Sequence, residues 1–354
     1  MDSLISRKIR AITPYTAGEQ PGDRRYIKLN TNENPYAPSP RAGDAYRNFD
    51  FGRLNLYPPL KMEKLRGAIA AAEGVDEENV ICGNGSDEIL ALCFPAFFDP
   101  DGKGAAFADV TYSFYPVFCD FFSVRKNIVP LEEDFRQDLG RLTETDAQGL
   151  IVCNPNAPTG RGIPLPEIRE FVSRNTDRIV ILDEAYMAFY GESAVPLTRE
   201  FGNVLVVRTF SKAYSLAGIR CGYAVGNTAL IGALRACADS FNSYPVDSVC
   251  QAVCAAAISD SAYYGECVRK VAAERERLGR ELSRRGFSFP PSGANFLFAK
   301  HEHVSGQYLY EELKKNGVLV RHFTAPRIAD YNRITIGTRE QGDGLLRALD
   351  AILR

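Results

Sequence analysis

No stretch of this sequence stays apolar over the roughly 20 residues that a membrane-spanning helix requires. The opening MDSLISRKIRAITPY has no apolar core of signal-peptide length, so no secretory leader is expected. No run of five like charges occurs. The 42 basic and 44 acidic residues leave a formal net charge of -2, which removes the electrostatic case for a nucleic-acid or membrane-surface partner. The nine cysteines lack the paired CxxC spacing of a zinc or redox centre, so no metal site is expected. Most sit in apolar stretches, such as Cys153 in GLIVCNP and Cys221 in RCGYAV, and read as small buried hydrophobes of a protein in a reducing cytoplasm. Internal repeats and low-complexity tracts are also missing.

What is there is an ordinary globular composition. With 45% hydrophobic and 24% charged residues over 354 positions, one large and one smaller domain can each bury a core. The first thirty residues are polar and turn-rich and end in the loop Asn30–Pro35 (NTNENP). LKMEKLRGAIAAAE (60–73) has helical apolar spacing, and EILALCFPAFF (88–98) follows a CGNGSD turn with Ser86 or Asp87 expected as its N-cap. Short apolar runs follow: AAFAD (105–109), GLIVC (149–153), IVILD (179–183), VLVVRT (204–209) and CGYAV (221–225). Unalternating apolar strands separated mostly by helical crossovers predict an α/β architecture with a largely parallel sheet covered on both faces. The last two runs are joined by a loop without a helix and admit an antiparallel pair.

From about residue 240 the character changes. VDSVCQAVCAAAI and GECVRKVAAERERLGRELSRRG read as helices, the second of about six turns. Short strands FLFA (296–299), VLVR (318–321) and RITIG (333–337) surround a helix in GQYLYEELKKNG, which predicts a compact α+β unit. The division expected is an N-terminal segment 1–30 serving the smaller domain and the site, a large domain 31–240, and a small domain 241–354.

In open parallel sheets ligands collect at the carboxyl ends of the strands. The residues at those ends are Gly83-Asn84-Gly85-Ser86-Asp87, Thr111-Tyr112, Asn154 to Gly160 (NPNAPTG), Asp183-Glu184-Ala185-Tyr186 and Phe210-Ser211-Lys212, with Arg220 eight residues beyond the lysine. Taken singly, each is a turn, a cap or a solvated charge. Together they meet the needs of pyridoxal phosphate, which requires an amine, an anion at its ring nitrogen, an aromatic platform, a donor to its phenolic oxygen and a cationic, amide-rich cup for its phosphate. Lys212 is the amine, nucleophile first and general base afterwards. Asp183 suits the ring nitrogen, Tyr112 the platform and Tyr186 the phenolic oxygen. Backbone N–H groups of Gly85, Ser86 and Asp87 at a helix N-terminus, with Ser211 and Arg220, suit the phosphate.

In this order GNGSDE, TYSFY, NPNAPTG, DEAY and TFSKAYSLAGIRCGY resemble the fold-type-I, class II aminotransferases, and within them most closely the histidinol-phosphate aminotransferases. The closer likeness rests on ITPY (12–15), LNTNENP (29–35), LNLYPP (54–59), SGANF (292–296), VLVR (318–321) and RITIGT (333–338), and it spans essentially the whole chain. The resemblance implies a large domain built on a mostly parallel seven-stranded sheet flanked by helices, and a smaller α+β domain. It implies a homodimer with shared active sites, in which Tyr57 reaches the partner's cofactor phosphate. It assigns Arg321 and Arg333 to the substrate's anionic group and places Tyr15, Tyr112 and Asn32 in the substrate pocket; the turn-rich composition of the segment around Tyr15 permits it to act as a lid. The substrates implied are L-histidinol phosphate and 2-oxoglutarate, in histidine biosynthesis. The sequence departs from the family at Ala157, where the usual residue is an Asn that donates to the phenolic oxygen; either Asn156 takes that role or Tyr186 supports the oxygen alone. Three other readings share these motifs: an aromatic amino-acid aminotransferase, a threonine-phosphate decarboxylase, and a non-catalytic regulatory protein that holds the cofactor.

Overall fold

The computed structural model describes residues 4–16, 18–20 and 26–354. Of the expected N-terminal segment 1–30, residues 1–3, 17 and 21–25 lie outside the described residues.

A seven-stranded sheet organises the chain from residue 80 to 226. From one edge its strands are Val80–Gly83, Gly222–Gly226, Val204–Thr209, Ile179–Asp183, Gly149–Cys153, Ala105–Ala108 and Lys126–Val129. Gly222–Gly226 is antiparallel to both neighbours, and the remaining pairings are parallel. The sheet is mostly parallel, as the apolar runs predict, and the loop-joined pair is the antiparallel one. Every residue of Gly149–Cys153 and Ile179–Asp183 is buried, which is why these strands show no polar alternation. Alternate side chains feed two separate cores: Leu150, Val152, Val180 and Leu182 on one face, Ile151, Cys153, Ile179 and Ile181 on the other. Two strands escape sequence reading. Lys126–Val129 is an edge strand with exposed lysine and isoleucine, and Val80–Gly83 is only four residues long and runs into a glycine turn.

The helix after that turn, Gly85–Phe97, corrects the expected N-cap. Ser86 and Asp87 lie inside its first turn, Asn84 is the capping position, and the Asn84 N–H donates to the Glu88 carboxylate at 2.6 Å. Gly85 makes this possible with a φ of +79°, a conformation only glycine adopts cheaply, so the helix starts earlier than the Ser/Asp pattern suggests.

The second sheet has four antiparallel strands in the order Arg321–His322, Asn332–Thr335, Phe296–His301, Phe287–Ser288. The run VLVR does not form one strand. Val318–Leu319 pairs in parallel with Ile27–Lys28, while Arg321–His322 pairs with Asn332–Arg333. The N-terminal segment takes the first half of the run, and the Leu29 N–H and C=O continue the docking onto Leu319 and Thr335. The 23-residue helix Ser261–Ser283 lies beside the second sheet and packs on the turn Met187–Phe189 of the first unit. The helix Ser248–Ile258, within the stretch expected as the small domain, packs against Pro40–Arg47 and Glu63–Glu73. All nine cysteines are free; the sulfurs of Cys221, Cys250 and Cys254 gather within 4.8 Å in the core. Among the described residues no helix is long and apolar enough to cross a membrane.

Gly222 opens the antiparallel strand directly beneath the start of the Gly85–Phe97 helix. A Cβ there would press into the Ser86 amide nitrogen and the Gly85 carbonyl carbon, which are backbone atoms and cannot rotate away. Gly222→Ala is therefore expected to destabilise the protein by about 1–3 kcal/mol, read as a lower urea midpoint with an unchanged slope.

Candidate active site

The carboxyl ends of the parallel strands open into a cavity of about 230 Å³ lined by Lys212, Asp183, Tyr186, Tyr112, Ser86 and Arg220, among others. Asp183 is the last residue of its strand and only 3% exposed. Tyr115 donates its O–H to Asp183 Oδ2 at 2.6 Å, and the Ala185 N–H donates to Oδ1 at 3.2 Å. Burial pushes the Asp183 carboxyl up to about 6 against the pull of these two donors. Lys212 sits in the loop after Val204–Thr209, its Nζ donating to the Thr31 carbonyl at 3.2 Å and standing 5.8 Å from the Tyr186 ring. Burial, and then the Arg333 guanidinium, bring its amine down to about 8. One cavity thus holds a carboxylate and an amine, each displaced toward neutrality by loss of water.

At one end of the cavity lies a cationic cup. Arg220 adopts a φ of +59°, donates to Ser211 Oγ at 3.3 Å and pairs with Asp87 Oδ2 at 3.2 Å. A Cβ on Gly85 would come within 2.5 Å of the Arg220 guanidinium, so a side chain there would push that guanidinium off the helix N-terminus. A cradle cleared of side chains, an arginine, a serine hydroxyl and first-turn amides form an anion site of phosphate size. Tyr112 closes the cavity on another side, its O–H donating to Asp87 Oδ1 at 2.6 Å. Tyr186 is buried, which raises its phenol to about 12, and it accepts a hydrogen bond from Asn32 Nδ2 at 2.9 Å. Its own proton remains available to a ligand oxygen.

A second basic site lies beyond Tyr186. Arg333 and Arg321 are directly opposed across their antiparallel strands. Like charges in that relation repel. The Arg333 Nη2 donates to the Asn30 carbonyl at 3.0 Å, but its Nε is shut off from solvent with no acceptor. Its guanidinium sits 5.4 Å from the Phe296 ring, and among the described residues no carboxylate pairs with it. Arg321 Nη2 donates to the Thr16 carbonyl at 2.9 Å, tying the segment that carries Tyr15; that ring stacks on Phe114 at 4.2 Å.

The family model for aminotransferase class I and II matches residues 24–349. The chain belongs to the class I and II aminotransferases. It is 46% identical over 352 residues, 98% of each chain, to the histidinol-phosphate aminotransferase of Syntrophus aciditrophicus. It is 45% identical over the full length of both chains to that of Chromohalobacter salexigens. Among solved structures, the histidinol-phosphate aminotransferase of Sinorhizobium meliloti in complex with pyridoxal-5'-phosphate superposes with a TM-score of 0.88 at 25% identity, covering 99% of this chain and 98% of that one. The aspartate aminotransferase of Thermus thermophilus with maleate shares the fold at a TM-score of 0.83 and 22% identity, over 99% of each chain.

Two expected residues of this aminotransferase stand elsewhere. Asn156 is fully buried and spends its amide on the Val110 carbonyl and Thr159 Oγ1, at 2.9 and 3.0 Å, while its carbonyl accepts from Thr111. Both N–H donors are used in shaping the loop, and Ala157 is the residue that reaches the cavity wall. Asn32 is also set back from the cavity. With a φ of +56° it supports the Tyr186 hydroxyl and is itself held by Thr335 and Asn295. Tyr57 lies outside this chain's cavity, 81% exposed and stacked on Tyr244 at 4.7 Å. Sequence reading overlooked Tyr115, Thr31 and Glu33. Tyr115 falls three residues after Tyr112 at a helix start, a spacing that sets both on one face and was the available signal.

Lys212 is expected to react with a small aldehyde at a rate that rises through pH 8 and then levels, since its amine is half neutral near that value. An exposed lysine goes on rising toward ~10.4. Borohydride trapping followed by peptide mapping at each pH separates the two profiles.

Proposed function

We propose that this aminotransferase uses pyridoxal phosphate to move the amino group of L-histidinol phosphate to 2-oxoglutarate, yielding imidazole acetol phosphate and L-glutamate in histidine biosynthesis. The observation that carries the substrate class is Arg333, a buried guanidinium opposed to a second arginine and without a carboxylate partner among the described residues. A phosphate monoester carries close to two charges at neutral pH and offers three acceptor oxygens, which suits two guanidinium forks. The carboxylate of the second substrate fits the same pair less tightly, as an exchanging co-substrate should. The naming of relatives at 45–46% identity over the whole chain supports histidinol phosphate as the phosphate-bearing partner.

When bound, pyridoxal phosphate supplies an electron sink for negative charge developing on the substrate's amine-bearing carbon. Arg220, Ser211 and the amides of Gly85, Ser86 and Asp87 would hold its phosphate, and Asp183 would keep a proton on its ring nitrogen. Tyr112 would support its ring, and Tyr186 alone would donate to its phenolic oxygen, because Asn156 has no donor left and Ala157 has none. Lys212 would be the point of attachment, and as a free amine its Nζ would take the proton from the substrate carbon; an amine near pH 8 is neutral often enough to do so at neutral pH. Arg333 and Arg321 fix the far end of the substrate, so that the bond to hydrogen is the one presented to Lys212.

A second copy of the chain is part of this reading. The stretch 51–60 exposes Phe51, Leu54, Leu56, Tyr57 and Leu60, with Tyr244 stacked against Tyr57. An apolar face of this kind is an association surface. A homodimer covers it and carries Tyr57 toward the partner's phosphate cup. Nine free thiols fit a reducing compartment, the cytoplasm.

Adding L-histidinol phosphate to the holoprotein is expected to abolish the long-wavelength absorbance of the bound cofactor, and 2-oxoglutarate to restore it. Conversion by an aromatic amino acid alone would remove the substrate claim, and carbon dioxide release without an oxo acid would indicate a decarboxylase. Arg333→Met is expected to raise the KM for histidinol phosphate by about ten- to a hundredfold with a smaller change in kcat. An apolar replacement of similar length leaves no unpaired charge, so the fold should persist.

A further inference from the structure

Two donors hold the Asp183 carboxylate, and they differ in kind. The Ala185 N–H is part of the turn that follows the strand, whereas the Tyr115 hydroxyl comes from the first turn of another element, the helix Phe114–Phe122. Tyr115 has no solvent exposure. Its ring is wedged edge-on against Phe107 at 5.8 Å and Tyr112 at 5.7 Å, which holds its hydroxyl beside Asp183 and the Cys153 thiol. At 2.6 Å from Asp183 Oδ2 it makes a short bond of the charge-assisted kind.

We propose that Tyr115 is a positioning residue for the cofactor: its phenol keeps Asp183 ionised and turns the carboxylate so that a free lone pair faces the ring nitrogen. The inference rests on the cofactor reading above. Each carboxylate oxygen can accept two hydrogen bonds and has one protein donor here, so acceptor capacity is left for a ligand in the cavity that Asp183 lines. The groups facing Asp183 do not supply the same support. Asp87 across the cavity disfavours the charged form, and Lys212 favours it less than Tyr115 and Ala185 do. Cys93, Cys153 and Tyr186 stand nearby and are held neutral by burial. Without the phenol, a carboxylate in this much apolar surrounding would take up a proton closer to neutral pH and lose its ion pair with the ring nitrogen. The turn that leads into this helix, in which the Tyr115 N–H donates to the Tyr112 carbonyl at 3.1 Å, also places Tyr112, the ring platform, against Tyr115. One short segment therefore sets two of the cofactor's contacts.

The test is the equilibrium release of pyridoxal phosphate from the holoprotein as a function of pH, a readout independent of turnover. In the unaltered protein, retention should weaken as pH falls through about 6, where Asp183 gains its proton. Tyr115→Phe should move upward by about one pH unit the midpoint at which the dissociation constant begins to rise, which weakens binding about tenfold below pH 6 and less at neutral pH, since one unit of linkage is a tenfold change in affinity. Placing 3-fluorotyrosine at position 115, a stronger donor of nearly the same shape, should move the midpoint downward. A role limited to packing would weaken binding by the same factor at every pH and leave that midpoint in place, and an unresponsive midpoint in the fluorinated protein overturns the inference. Asp183→Asn separates the two levels of the proposal. If it weakens retention while the Tyr115 variants do not, the cofactor reading stands and this one falls. If Asp183→Asn also leaves retention unchanged, the cofactor reading itself is wrong.

Discussion

Loss of water around two ionisable groups is the constraint from which this site follows. A carboxylate and an amine share one cavity, and burial moves each toward its neutral form: Asp183 up to about 6, Lys212 down to about 8. The chemistry needs the reverse at Asp183 and that same displacement at Lys212. The structure resolves this by giving the carboxylate two donors and leaving the amine one neutral carbonyl acceptor, Thr31. Both groups stand at the carboxyl ends of neighbouring parallel strands, where the strand directions converge on one opening.

Anion recognition surrounds this pair on two sides with different means. The cup at Arg220 has a backbone floor, a glycine start to a helix with a second glycine beneath it at position 222, and Ser86 of the first helical turn and Ser211 line the same cavity. The site at Arg333 is built from side chains, with two arginines opposed across a strand pair and one Nε left without an acceptor. A backbone cup holds one resident group in one orientation. Two guanidinium forks on adjoining strands accommodate anions of different charge and shape, as a transaminase alternating between two substrates requires.

Much of this arrangement is legible in the residues. The fully apolar runs 149–153 and 179–183 announce buried parallel strands, and both strand ends reach the cavity, the first through Cys153 and Ala157 and the second through Asp183, Ala185 and Tyr186. What escapes sequence reading has definable causes. Lys126–Val129 carries the mixed polarity of an edge strand, which resembles a loop. The helix at residue 85 starts early because a glycine with positive φ outranks a serine or aspartate cap. VLVR is divided between two sheets because a strand from the far N-terminal end occupies its first half. Asn156 and Asn32 have the right chemistry for a ligand, yet both spend their amides on their neighbours.

The sequence by itself determined the alternation of strand and helix and the family to which the chain belongs, and it supplied the amine, the carboxylate and the arginine on which the proposed cofactor site rests. These are local properties: apolar periodicity, and residue types at strand ends. The tertiary structure alone decided which donors are still free, that Tyr115 stands behind Asp183, and that Arg333 has no acidic partner among the described residues. Those facts depend on where side chains more than sixty positions apart in the chain come to rest, as with Tyr115 and Asp183 at a separation of 68 residues. A hydrogen bond already made to a neighbour leaves no trace in the residue's type. It shows only when the folded chain brings the two groups together.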